Sequence, residues 1–318
     1  MTAVLEQRRA APESAGQQQV APQRRTPRPR RFAPWLWGVV GIAVLVAIWE
    51  LYRLVGPVDG FVLGELRLLP RASDLAMPHV AEMIARLFSG ETRSSTSEPL
   101  WLAVAQASLV TGGTSAVGFV VGVIVGLGFA LLMLAFRVGR WALLPWIVLS
   151  QTVPLIAFAP MVRSWGSQLT IGAFEWQDWM SVALIASYLA FFPVAVGALA
   201  GFESPDRVHV ELMRTYAAGW WRVFVRLRLP AAVPHLLTAL RLAAANAIIG
   251  AVVAEVSTGS RGGIGRMIIQ FAGQASSDPP KAWAPIFGAV ALGLLAAGSL
   301  AATGWLLKDY RRVEVSSA

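Results

Sequence analysis

The chain has 318 residues, 56% of them hydrophobic and only 14% charged, with a mean hydropathy of +0.58. A soluble domain carries roughly 25% charged residues to hydrate its outside, so this composition excludes one and points to a surface that faces lipid. The 27 basic and 18 acidic residues leave a net charge of +9, and the absence of cysteine excludes a disulfide framework, a thiolate metal site and a cysteine nucleophile.

Residues 1–34 are polar and hold Arg8, Arg9, Arg24, Arg25, Arg28, Arg30 and Arg31. They cannot bury enough apolar surface to fold and read as a disordered basic tail. Arginines placed directly before an apolar run are a retention signal at the inner membrane face, so the tail is expected in the cytoplasm and nucleic acid is not an expected partner. The run that follows is long enough to span and ends without an A-x-A site, which argues against a cleaved signal peptide.

About 20 apolar residues at a rise of 1.5 Å cross the hydrocarbon core. That ruler places spans at residues 35–55, 111–136, 141–162, 181–202, 236–257 and 284–307. The expected fold is an all-α membrane protein with six transmembrane helices and both termini in the cytoplasm. Residues 35–99 hold the first span and an extracytoplasmic segment, 100–307 the core, and 308–318 a second cytoplasmic tail with Lys308, Arg311 and Arg312. The charge-free stretch 100–136 reads as one long helix whose first turns lie at or above the interface. Six spans put Arg137, Arg140 and the loop with Arg207, Arg214, Arg222, Arg226 and Arg228 on the cytoplasmic side. A seventh would export that loop, against the positive-inside bias.

The loop at residues 203–230 carries its own local structure. Ser204 is a candidate N-cap, Pro205 suits the first helical position, and Asp206 opposes the helix dipole. Val208, Leu212 and Tyr216 share a face of this short helix, and Gly219 permits a reversal. Trp220, Trp221, Phe224 and Leu227 then form an apolar stripe, and Pro230 is expected to stop the second helix before the fifth span. Two such helices suit either an interfacial element on anionic lipid or a knob for a groove on a soluble partner.

The loop resembles the EAA loop of ABC-importer permeases, whose form is EAA, three residues, Gly, nine residues, Ile-x-Leu-Pro. Glu211-Leu212-Met213 stands at EAA and Leu227-Arg228-Leu229-Pro230 at the end, with the spacing kept. Leu212 and Met213 replace the alanines, and Ala217 takes the glycine position, with Gly219 two residues later. Further along, Pro154 to Pro160 with Trp165-Gly166, Phe191-Phe192-Pro193, Ala231 to Arg241, Gly250 to Glu255 and Gly262 to Gly265 are similar to the nitrate/sulfonate/taurine branch, so the likeness covers about 100–307.

The resemblance implies a type I ABC-importer permease bundle with a cytoplasmic coupling helix between spans 4 and 5. It assigns docking to Ser204, Pro205, Glu211, Leu212, Met213, Ala217, Gly219, Leu229 and Pro230. The implied partners are an ABC ATPase subunit dimer, a second permease copy or paralogue, and an extracytoplasmic substrate-binding protein. ATP and Mg belong to the ATPase, with no cofactor in this chain, and the substrate is a small anion of the nitrate, sulfonate or taurine class or a small heterocycle.

Polar residues inside spans need a reason. Gln151, Thr152, Asn246 and Gln270 are candidates to line a polar route or to bond helix to helix. Arg241 either snorkels or pairs with the loop, and Glu255 is a helix cap, an ion-pair member or a pathway residue. No GxxxxGK[ST], GxSxG or HExxH occurs, and His79, His209 and His235 are scattered, so neither a catalytic residue nor a metal site is expected. The competing class is an ion-gradient-driven secondary transporter. Its usual signs are weak here: residues 35–162 and 181–307 show no repeat, and the embedded carboxylates Glu50 and Glu255 lie near span ends.

Overall fold

A computed structural model describes residues 34–63, 66–69, 71–91 and 98–306. The two cytoplasmic tails expected at 1–34 and 308–318 therefore fall outside the described residues, apart from Pro34. The chain divides into two units, Met1–Leu51 and Tyr52–Ala318.

Helix α1, Pro34–Val55, is apolar on every side, and its side chains from 36 to 48 are all exposed, as lipid-facing surface requires. Beyond it come a hairpin of β1 (Phe61–Leu63) and β2 (Leu66–Leu69) and the short helix α2 (Val80–Phe88). Arg53 donates to the Met77 carbonyl at 2.7 Å and pairs with Asp74, which ties the end of α1 to this segment.

Helix α3, Leu100–Ala135, is one unbroken element of 36 residues, about 54 Å long against a core of about 30 Å. Its first turns pack Leu100 and Val104 against Phe271 and Ala284, with Leu87 and Met267 alongside, so the long-helix reading holds.

The third span departs from expectation. Instead of one helix over 141–162, α4 (Arg137–Ser150) and α5 (Leu155–Gly166) meet at 97° across a four-residue break. Pro154 has no N–H to continue the ladder, and it biases the residue before it away from the helical region. A small hairpin of β3 (Thr170–Ile171) and β4 (Phe174–Glu175) leads into α6, Asp178–Glu203.

After α7 (Arg207–Thr215), α8 (Trp220–Val223) runs through a π turn, Phe224–Arg228, into α9, Leu229–Thr258. Pro230 does not stop this helix. In the π turn the Leu229 N–H reaches back five residues to the Phe224 carbonyl, and this wider winding accommodates the proline. The chain continues through α10 (Ile264–Ala272) and a 3-10 turn (Pro279–Trp283) to α11, Ala284–Leu306. With the bent pair counted as one, the described residues hold six helices long and apolar enough to span.

Helices α3, α6 and α9 form the core. In lipid, helices gain nothing by hiding apolar surface from each other and associate where small residues admit close packing. Gly118, Gly122 and Gly126 supply that on α3: a Cβ at each would lie 2.5 Å from Ala186 Cβ, 2.7 Å from Ala190 Cβ and 2.8 Å from Val194 Cβ on α6. On α9, Ala243, Ala247, Ala251 and Ala254 are buried in the same cluster.

Candidate functional site

Helix α7 stands in the connection between α6 and α8 and buries none of its side chains. Asp206, not Ser204, is its N-cap: the Asp206 carboxylate accepts the Val208 N–H at 3.2 Å. Ser204 instead closes the C-terminus of α6, where its hydroxyl donates to the Gly201 carbonyl at 2.8 Å, and Pro205 lies between the two helices.

At 100° per residue, Arg207, Val210, Glu211 and Arg214 share one face of α7. Val208, Leu212 and Tyr216 share the other, with 66%, 52% and 76% of their surfaces exposed.

The helix ends in a Schellman motif. The Ala218 N–H donates to the Met213 carbonyl at 3.0 Å and the Ala217 N–H to the Arg214 carbonyl at 2.9 Å. Ala217 itself has φ +52°, in the left-handed region that favours glycine. The reversal assigned to Gly219 is thus made by Ala217. Gly219 is extended (φ −64°, ψ 163°), with open space around a Cβ, so the reversal does not use its lack of a side chain. Phe224 anchors the following turn, its ring edge-on to Phe202 at 5.2 Å and stacked on Trp220 at 5.4 Å. Leu229 and Pro230 open the helix that enters the span and lie outside α7.

Between α7 and the bundle is a cavity of about 980 Å³. Met133, Leu134, Val138 and Trp141 wall it from the α3–α4 turn, and Arg207, Glu211 and Arg214 from α7. Arg140 and Glu203 form an ion pair at 2.7 Å at its edge, and Arg228 donates to the Phe202 carbonyl at 3.2 Å. Glu211, Arg207 and Arg214 therefore point to the cavity, opposite the apolar face.

The other polar candidates separate. Glu255 is 2% exposed and accepts the Thr111 hydroxyl at 2.9 Å and the Gly265 N–H at 2.8 Å, while Thr111 accepts the Ile264 N–H at 2.8 Å. The carboxylate thus sits at the N-terminus of α10, where the helix dipole favours an anion, and joins α3, α9 and α10. A Cβ at Gly263 would come within 2.2 Å of that carboxylate. Of the three roles open to Glu255, the cap is the one observed, although the helix it caps is α10 rather than its own.

Gln151 and Thr152 lie in the break between α4 and α5. Thr152 donates to the Leu149 carbonyl at 2.8 Å, Gln151 contacts the Ser150 hydroxyl at 3.3 Å, and the Ser150 carbonyl accepts the Tyr188 hydroxyl of α6. Asn246 donates to the Leu189 carbonyl at 3.3 Å, joining α9 to α6. Arg241 is exposed and rests its guanidinium against Gly304 of α11, which places it by the last helix and not by the loop. Gln270 lies in α10, on a polar cavity of about 620 Å³ shared with Arg86, Gln274, Asp278 and Lys281.

Arg163 was not singled out from the sequence. It pairs with Asp178 of α6 at 2.7 Å and donates to the Thr258 carbonyl at the end of α9, so it clamps three helices. Its position at the end of an apolar run, with Asp178 opening the next helix, was the available signal.

Residues 118–309 match the family described as binding-protein-dependent transport system inner membrane component. The chain is 30% identical over 273 residues to the formylaminopyrimidine transport permease protein ThiX of Halalkalibacterium halodurans, covering 85% of this chain and 93% of the relative. It is 28% identical over 246 residues to the putative aliphatic sulfonates transport permease protein SsuC of Bacillus subtilis, covering 77% of each. Over 133 residues it is 32% identical to the riboflavin transport system permease protein RibX of Chloroflexus aurantiacus, covering 41% of this chain and 46% of the relative.

Proposed function

The chain belongs to the binding-protein-dependent transport system inner membrane components, the permeases of ABC importers, and we propose that it docks an ATPase subunit through α7 and receives a small polar solute from an extracytoplasmic binding protein. The observation that carries this reading is the apolar face of Val208, Leu212 and Tyr216, exposed on a helix that buries none of its side chains. A nine-residue helix gains little stability from its own hydrogen bonds, and an apolar face set beyond the spans marks a contact surface for a partner. ATP and Mg are bound by that partner, because no phosphate-binding GxxxxGK[ST] loop is present here. The arginines around α7 support a cytoplasmic placement for this end, with both termini on the same side.

The break at residues 151–154 supports a second permease copy or paralogue. Thr152, Val153 and Pro154 are exposed there, and irregular backbone at membrane depth is stable only against protein or water. A partner across this break leaves Gln151 and Thr152 at the wall of a pathway between the two chains. Closure of the ATPase pair then moves α7 and biases the bundle between two packings. The relatives named for formylaminopyrimidine, aliphatic sulfonates and riboflavin support a small heterocycle or a small sulfonate-class anion as the solute.

Affinity purification of the tagged chain in mild detergent, with mass spectrometry and an ATPase assay, tests the docking. An ATPase subunit is expected with the wild type and lost in Leu212→Asp and Tyr216→Asp, with Tm unchanged because both side chains are exposed. Retention of the ATPase by both variants refutes docking through this face. Gradient-driven uptake without any ATPase makes the protein a secondary transporter instead.

A further inference from the structure

The cavity between α7 and the bundle has two unlike walls. On the bundle side, Met133, Leu134, Val138 and Trp141 are apolar and stand where α3 ends and α4 begins. Trp141 and Val138 are 84% and 78% exposed, so they stand at the mouth of the cavity, just past the apolar span of α3. Tryptophan prefers that depth because its ring is apolar and its N–H polar. On the α7 side, Arg207 and Arg214 lie two turns apart on one face with Glu211 between them. Neither guanidinium has a hydrogen bond or ion pair among the described residues, whereas Arg140 is taken by Glu203 and Arg228 by the Phe202 carbonyl.

We propose that this cavity binds the headgroup of an anionic glycerophospholipid. The phosphodiester lies between the Arg207 and Arg214 guanidiniums, whose planar donor forks match phosphate oxygens. Glu211 accepts from the headgroup hydroxyls, and the apolar wall takes the first methylenes of the acyl chains. About 980 Å³ is ample for a headgroup and the glycerol behind it. A lipid seated there props α7 at a fixed distance from the α3–α4 turn. The site is independent of docking through Val208, Leu212 and Tyr216, because the two faces of α7 point apart.

The test uses the full chain, delipidated in neutral detergent and mixed with phosphatidylglycerol, phosphatidylcholine or inorganic phosphate. Tm and native mass spectrometry of retained lipid are read together. Phosphatidylglycerol is expected to raise Tm and to remain bound at one copy per chain, with roughly tenfold weaker retention in Arg207→Gln/Arg214→Gln, a loss of about 1.4 kcal/mol. The pair Arg222→Gln/Arg226→Gln removes the same charge from the same loop outside the cavity and should keep the effect. Val138→Glu leaves α7 untouched, places a carboxylate at the exposed mouth and should abolish it. Equal losses in the two arginine pairs would show diffuse charge attraction and overturn the site. An equal shift from phosphatidylcholine overturns the anion preference, and an equal shift from inorganic phosphate overturns the lipid source.

Discussion

Ala217 occupies a backbone position that an L-residue enters only against its Cβ, at about 1–2 kcal/mol. Replacing it by glycine relieves that clash while adding some freedom to the unfolded chain, so Ala217→Gly should stabilise the end of α7 by about 1 kcal/mol. Amide exchange at residues 213–218 should slow about fivefold, and Ala217→Val should speed it. Gly219 is the control: it is extended and unhindered, and Gly219→Ala should leave exchange unchanged. At the opposite end of the bundle, Glu255→Ala strands the Thr111 hydroxyl and the Gly265 N–H in a buried place, at about 1–3 kcal/mol for each group. Thr111→Val strands the Ile264 N–H and one side of the carboxylate. Because both residues serve one network, the double variant should lose less than the sum of the singles in thermal unfolding. An additive result would mean that the two do not act together.

Among elements, the α3–α6 contact depends on the absence of side chains at every fourth residue. Gly122→Leu drives carbon into the Ala190 Cβ and the Ser187 carbonyl, and overpacking of this kind costs about 1–3 kcal/mol. Gly128→Leu on the same helix meets open space and should be neutral, so the Tm difference between the two variants isolates the packing. The break between α4 and α5 has its own support, since the Ser150 carbonyl, which Pro154 cannot serve, accepts the Tyr188 hydroxyl beside the Val153 N–H. Tyr188→Phe should therefore cost about 1 kcal/mol, read as a lower Tm at constant helix content.

Across the whole molecule, the same three long helices carry contacts at both ends: α7 and its cavity at one, and the Arg163 and Glu255 networks at the other. The Arg163–Asp178 pair is partly exposed and worth at most about 1 kcal/mol. Arg163 also serves the carbonyl that closes α9, so Arg163→Ala should cost about 2 kcal/mol and Asp178→Asn less than half of that. Equal Tm losses would reduce the clamp to its ion pair.

The number and kind of elements were legible because the bilayer reduces folding to a length rule and a charge rule. Twenty apolar residues span, and the arginines at 207, 214, 222, 226 and 228 mark the loop that stays out of lipid. Pro205, Asp206 and the shared face of Val208, Leu212 and Tyr216 also sufficed to point to a short helix in the connection, which the structure places at Arg207–Thr215. Which turn of a helix a proline bends was not in the pattern: Pro154 breaks a span where Pro230 passes through one, because a π turn surrounds the second. Nor could periodicity say that Glu211 faces a cavity while Leu212 faces outward, or that Ala217 rather than Gly219 turns the chain. The partners of Arg163 lie 15 and 95 residues away, and those of Glu255 lie 144 away in α3 and 10 away in α10. Such pairs are fixed only when three helices close on one another, since burying a charge is affordable only after its partners are in place.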